Sequence, residues 1–150
     1  MNKSQNLRKY RTSTPFHYYC VTTVSNQRKP IFNSIDIAQI IIKNIEQLDK
    51  ELLSKTICFV LMPDHIHWLF QLQNELPLCK TVQYLKGRSA REIKKHKNHI
   101  NNIWQEDYFE HCIRDERDLI KQARYIVANP LRAGLVKNIG DYPCWNCIYL

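Results

Sequence analysis

The sequence predicts an α+β fold of the ferredoxin-like or RRM-like kind, in which helices pack mainly on one face of an antiparallel sheet. Three observations point there: short segments rich in aromatic and β-branched residues, amphipathic stretches between them, and the order βα, ββ, α, β, α in which the two alternate. At 150 residues, 44% of them hydrophobic and 24% charged, the chain is read as one domain spanning 1–150, with residues 1–15 as a basic arm. A barrel of eight β/α units does not fit in this length.

The first strand is expected over Phe16–Val24 (FHYYCVTTV), ended by the polar turn Ser25–Pro30. From Ser34 to about Leu53 the residues Ile37, Ile40, Ile41, Ile45, Leu48 and Leu52 recur at helical spacing, with Ser34 and Asp36 suited to the start. Thr56–Leu61 (TICFVL) reads as a buried strand, Met62-Pro63-Asp64 as a tight turn, and His65–Leu72 (HIHWLFQL) as the returning strand. A basic helix follows from Pro77 to about Lys97, with Leu78, Val82, Leu85, Ala90 and Ile93 inside. Trp104–Ile113 (WQEDYFEHCI) reads as a fourth strand. A last helix over Glu116–Ala128 should stop at Asn129-Pro130, because a residue preceding proline resists the α conformation.

Lys and Arg number 22 against 14 Asp and Glu, a formal charge of +8 that favours polyanionic partners, nucleic acid first and an anionic membrane surface second. The longest unbroken apolar run, Ile57–Met62, is far short of the ~18 residues of a membrane span, so no membrane role is expected. Met1–Arg11 carries basic residues but no apolar signal core, which makes the cytoplasm the expected location. The cysteines are scattered as small hydrophobes in apolar segments. Cys144 and Cys147 form a lone CxxC, which would need a distant partner such as His111 to hold zinc and reads better as coincidence.

Residues two apart on a strand share a face, so His65 and His67 project together while Ile66, Trp68, Phe70 and Leu72 face the other way. Such a pair also occurs as plain hydrogen-bonders at a sheet edge. Tyr125 and Asn129, four apart on the last helix, share a face too, although a core aromatic and a helix cap would give the same spacing. Together, two imidazoles and an amide oxygen make a half-open site for Mg²⁺ or Mn²⁺, with Tyr125 beside it as nucleophile for a phosphodiester. Between Lys80 and Lys97 seven basic residues face one acid, Glu92; this one-sidedness favours DNA over a merely solvated face. Lys86, Arg88, Arg91, Lys94 and Lys95 on this helix, and Arg8, Lys9 and Arg11 in the arm, are the expected phosphate contacts. Tyr18, Tyr19 and Trp68 could stack on unpaired bases, or pack in the core.

MPDHIHWLF, WQEDYFEHCIRDERDL, YIVANPLRAGLV and a closing YPCW, in that order, resemble the REP-associated tyrosine transposases, relatives of the single-tyrosine HUH transposases of insertion sequences. The likeness runs from RKYR and YYCVTTVSNQRKPIF nearly to the C-terminus. It implies that His65 and His67 are the HUH histidines and Tyr125 the nucleophile. The implied reaction cleaves single-stranded DNA, folded into palindromic hairpins like repetitive extragenic palindromes, through a 5′-phosphotyrosine link that leaves a free 3′ hydroxyl. Insertion-sequence relatives carry Gln four residues after the tyrosine where this chain has the shorter Asn129. His111 and Arg114 also match the pattern, as fold support or DNA contact. Insertion-sequence relatives act as dimers that exchange the tyrosine helix and REP-associated ones need not, so monomer and homodimer are both open. The competing expectations are a non-catalytic, domesticated module binding single-stranded nucleic acid on its sheet, and a zinc hydrolase using the histidines alone.

Overall fold

The computed structural model describes residues 13–148. Arg8, Lys9 and Arg11 lie outside the described residues. The described chain forms β1 (Tyr18–Val24), α1 (Ile35–Lys50), β2 (Ser54–Leu61), β3 (His65–Leu72), α2 (Leu78–His96), β4 (Phe109–Cys112), α3 (Glu116–Arg132) and β5 (Trp145–Cys147), with single 3-10 turns between some of them. The strands make one five-stranded sheet in the order β4-β1-β3-β2-β5, every pairing antiparallel. The expected α+β, ferredoxin-like arrangement is therefore the one observed.

Strand β3 is the spine of the sheet. Ile66, Trp68, Phe70 and Leu72 are fully buried on one face, where they meet Ile41, Ile45 and Leu48 of α1 and Val82, Leu85 and Ile93 of α2. Trp68 stacks on Phe70 at 3.9 Å between centroids, and its Nε1–H donates to Thr56 Oγ1 at 3.0 Å, so the indole is both packed and satisfied. Trp68 and the buried Tyr19 are thereby core residues and not platforms for bases.

The opposite face is built differently. A β-bulge between Thr56 and Cys58 turns Cys58, Val60 and Met62 to the same side as Leu69 and Cys20. Helix α3 lies across this side through Ala123 and Ile126. Two helices thus share one face, as expected, while the third covers part of the face to which His65 and His67 belong. An RRM-like binding module uses an open sheet face; here α3 takes up part of the second face and leaves the part beside the histidines open.

Three boundaries differ from the sequence-based expectation for physical reasons. Strand β1 begins at Tyr18 because Phe16 has φ 66°, which extended backbone cannot contain. Of the fourth strand only Phe109–Cys112 pairs regularly; Trp104 makes an isolated bridge to Ser25 and sends its Nε1–H to Ser89 Oγ. Helix α3 passes through Pro130 and ends at Arg132. In the last turn a proline removes only the amide that would bond the Ile126 carbonyl. The true stop is Gly134 at φ 73°: its N–H bonds the Leu131 carbonyl and that of Leu135 bonds Pro130, the paired closure of a Schellman motif.

Strand β5 was not foreseen. Its three residues pair with β2, placing Cys147 opposite Cys58, while Cys144 packs against the α1/α2 side. The two thiols of the CxxC therefore belong to opposite faces of the sheet, which supports the reading of that motif as coincidence. No helix among the described residues is long and apolar enough to cross a membrane.

Ile126 is fully buried and anchors α3 to the sheet. Ile126→Ala should destabilise the protein by roughly 2–5 kcal/mol, read as a lower urea midpoint with an unchanged slope.

Candidate active site

The register of β3 against β1 sets His65 opposite Val24 and His67 opposite Thr22. The two imidazoles stand edge to face, 4.8 Å between centroids. Each ring is held by its Nδ1: His65 bonds Asp64 Oδ1 at 2.7 Å, and His67 bonds Thr22 Oγ1 at 2.7 Å. Burial opposes ionisation of Asp64, but the hydrogen bond and charge of His65, with the Arg28 guanidinium at 3.4 Å, hold it below the usual carboxylate range. An ionised carboxylate only accepts, so His65 Nδ1 carries a proton, and in the neutral imidazole the lone pair then lies on Nε2. The Thr22 hydroxyl serves either tautomer of His67 and allows the same arrangement.

His67 is pushed down to about 4, first by burial and then by the charges of His65 and Arg132. It is neutral at pH 7, the form in which an imidazole donates to a metal. Rings oriented through Nδ1 with Nε2 available are a donor set that suits a divalent cation. Among the described residues no group of three or more His, Cys, Asp or Glu is placed for a metal ion.

Tyr125 reaches this pair from α3. Its ring lies 6.1 Å from that of His67, nearly perpendicular to it, and is 51% exposed. The Arg132 guanidinium covers the Tyr125 ring at 3.7 Å and donates from Nη2 to the Tyr125 carbonyl and to Asn129 Oδ1, each at 3.1 Å. The Asn129 oxygen retains a second lone pair. The helical spacing thus brings Tyr125 and Asn129 together as expected, with Arg132, which the sequence reading passed over, joining them. Its signal was Gly134: placing the helix end there puts Arg132 on the last turn.

A cavity of about 200 Å³ opens beside the histidines, lined by Thr22, Val24, Arg28, His65, His67 and Phe109. Phe109 pairs with Thr22 and so shares the histidine face; it is 67% exposed. It too escaped the sequence reading, hidden in a segment read as one long strand.

The expected DNA contacts divide. Lys86 directs its ammonium to the carbonyls of Gln105, Glu106 and Asp107, fastening the segment that leads into β4, and Arg88 pairs with Glu51 and lies over Tyr84. Those two side chains are engaged within the fold. Arg91, Lys94 and Lys95 are exposed, but on the helix that packs against the sheet face opposite the histidines. On the histidine side, Arg117, Lys121 and Arg124 are exposed along α3 beside Tyr125, a basic row the sequence reading missed. Arg114 is exposed and its backbone N–H donates to Asp118 at 2.9 Å. His111 Nε2 donates to the same carboxylate at 2.8 Å, and the Asp118 amide donates to the helix cap Asp115. His111 therefore secures the start of α3. Although burial raises it, Asp118 is brought down to about 2 by the Arg114 amide, the His111 and Gln122 hydrogen bonds and the His111 charge.

A family model described as "Transposase IS200 like" matches residues 13–129. A Haemophilus influenzae protein carrying the name REP-associated tyrosine transposase is 34% identical over 99 residues, 59% of this chain and 56% of that protein. The REP-associated tyrosine transposase of Escherichia coli K12 is 34% identical over 88 residues, 57% of this chain and 49% of that one. The chain spans about half the length of the curated relatives it matches. A solved REP-associated tyrosine transposase bound to a REP hairpin superposes with a TM-score of 0.74 at 23% identity, covering 90% of this chain and 79% of the other. At that identity the superposition speaks for the fold alone.

The lowered pKa of Asp118 predicts an acid-sensitive α3. Because the folded value lies below the ordinary carboxylate value of 3.8, its contribution is complete above about pH 4 and is lost as pH falls through about 2. Asp118→Asn should lower the urea midpoint at pH 6, and the gap to wild type should narrow steadily as pH falls from about 4 through about 2.

Proposed function

Because the chain belongs to the IS200-like transposase family, whose model matches residues 13–129, we propose that it is a metal-dependent single-stranded DNA endonuclease and strand transferase acting on palindromic hairpins. The observation that carries this reading is the approach of Tyr125 to His67, from elements far apart in sequence, at 6.1 Å between ring centroids. A hairpin substrate is supported by the REP hairpin bound to the solved relative. Both halves of the site come from one chain, a geometry open to a monomer and a homodimer alike, and a DNA substrate supports the cytoplasm as the site of action.

The Tyr125 hydroxyl oxygen attacks the phosphorus of a DNA phosphodiester. A bond forms from phosphorus to the phenolic oxygen while the bond from phosphorus to the upstream 3′ oxygen breaks. The proton lost by the phenol balances the one gained by the departing 3′ hydroxyl. The product is a 5′-phosphotyrosine that a 3′ hydroxyl can attack in reverse, so strands are cut and rejoined without an external energy source. His65, His67 and Asn129 would hold Mg²⁺ or Mn²⁺, whose chemistry when bound is to neutralise phosphate charge and stabilise the departing oxygen. Asp64 and Thr22 orient the imidazoles, and the exposed Phe109 stacks on an unpaired base next to the scissile phosphate. Arg8, Lys9, Arg11, Arg91, Lys94, Lys95 and Arg114 supply sequence-blind phosphate contacts, joined by Arg117, Lys121 and Arg124 on the side of the tyrosine.

The deciding experiment mixes protein, Mn²⁺ and a labelled single-stranded hairpin from the DNA flanking its gene, then runs a denaturing gel. Wild type should give a slow-migrating protein–DNA band that EDTA prevents. Tyr125→Phe should abolish the band while keeping hairpin affinity, and His65→Ala or His67→Ala should abolish metal-dependent cleavage. Tight binding with no band from wild type would leave a binding protein in place of an enzyme, and cleavage with zinc and no adduct would leave a hydrolase. Replacing Arg117, Lys121 and Arg124 together by Ala should reduce the slope of log affinity against log salt by roughly 0.7–0.9 per lost contact.

A further inference from the structure

We infer that Arg132 is a positioning residue that fixes the Tyr125 ring and the Asn129 amide in a single orientation toward the histidine pair. The inference rests on the tyrosine-nucleophile reading above. Its starting point is a gap in the hydrogen bonding: among the described residues nothing bonds the Tyr125 hydroxyl, and the side chain is half exposed. A phenol in that setting keeps its oxygen free for attack but has nothing at its tip to hold it. Its orientation must come from contacts with the ring.

Two such contacts exist. His67 meets the ring edge to face, and the Arg132 guanidinium covers it at 3.7 Å. The same guanidinium donates to the Tyr125 carbonyl and to Asn129 Oδ1. One planar group thus ties together the ring, the backbone beneath it and the amide four residues on. Lysine could not do this, because a point charge neither stacks nor forks. The backbone makes the arrangement possible: α3 continues through Pro130 and is closed at Gly134, so Arg132 sits on the last turn, where a cation also suits the carbonyl end of the helix. Had the helix ended before Pro130, the guanidinium would have no fixed relation to the tyrosine.

Positioning of a nucleophile shows in the rate at saturation and not in affinity, and a misplacement of about 1 Å costs on the order of 10²-fold. With saturating hairpin and Mn²⁺, Arg132→Ala should form the covalent adduct about 10–100-fold more slowly. The half-saturating DNA concentration and the Tm should stay at wild-type values. Arg132→Lys should recover little of the rate. Independently of activity, the Tyr125 ring cross-peaks in an NMR spectrum of tyrosine-labelled protein, assigned by their loss in Tyr125→Phe, should move toward exposed-tyrosine positions in Arg132→Ala. The inference is overturned by an unchanged rate with unmoved cross-peaks, by a fall in Tm and hairpin affinity in step with the rate, or by full activity in Arg132→Lys. If wild type itself forms no adduct, the phosphotyrosine reading fails, and the cross-peaks alone decide whether Arg132 orders the ring.

Discussion

The register of β3 between β1 and β2 is the constraint on which the rest of the molecule depends. Ile66, Trp68, Phe70 and Leu72 have no accessible surface, and neither does Leu69 on the other face. A slip of one residue would turn the indole and the aliphatic side chains away from α1 and α2 and drive both histidines into the core. Burying two imidazoles without partners would cost far more than the strand's hydrogen bonds return, so the pairings of His65 with Val24 and His67 with Thr22 are over-determined. The paired geometry of the histidines is thus a by-product of hydrophobic alternation.

Helix α3 converts that pair into a candidate site. Its start is fastened by Asp118, which gathers the Arg114 amide and the His111 imidazole, and by the Asp115 cap. Its middle is pressed on the sheet by Ala123 and Ile126, next to Tyr125 in sequence but buried where the tyrosine is exposed. Its end is closed by Gly134. The helix is tied down at both ends and in the middle, so the tyrosine's backbone has little freedom. What remains to be set is the side chain, which is the part Arg132 and His67 contact.

Much of this was legible before any coordinates. The alternation in HIHWLFQL defines β3 and the common face of its histidines to the residue, because Ile66, Trp68, Phe70 and Leu72 fill one side while every polar residue, His65, His67 and Gln71, falls on the other. The 3.6-residue period defines α1 and α2 to within a few residues at their ends, and the spacing of Tyr125 and Asn129 defines their common face. What was not legible depends on partners distant in sequence. No local pattern says that α3 lies on the opposite face from α1 and α2, since its amphipathic stripe would serve on either. The three residues of β5 are strand only because β2 offers an open edge. Lys86 looks like any surface lysine until the carbonyls of residues 105–107 are folded beneath it. The helix stop was a conflict between two local signals, Pro130 and Gly134, and the glycine prevailed because a proline in a last turn loses only one hydrogen bond.

The histidine face is open surface and core at once, and the boundary between the two explains its electrostatics. Ala123 and Ile126 close α3 over Cys20, Cys58, Val60 and Leu69, while one strand-width further the same face lies open beside Phe109 and Arg28. His67 sits on the line between these regions. It is buried enough to stay neutral, yet it borders the cavity. A helix displaced toward β4 would cover the cavity, and one displaced toward β5 would expose His67 and carry Tyr125 away from it. The packing of α3 therefore sets two features together, a neutral imidazole at the edge of the cavity and a phenol ring within reach of it.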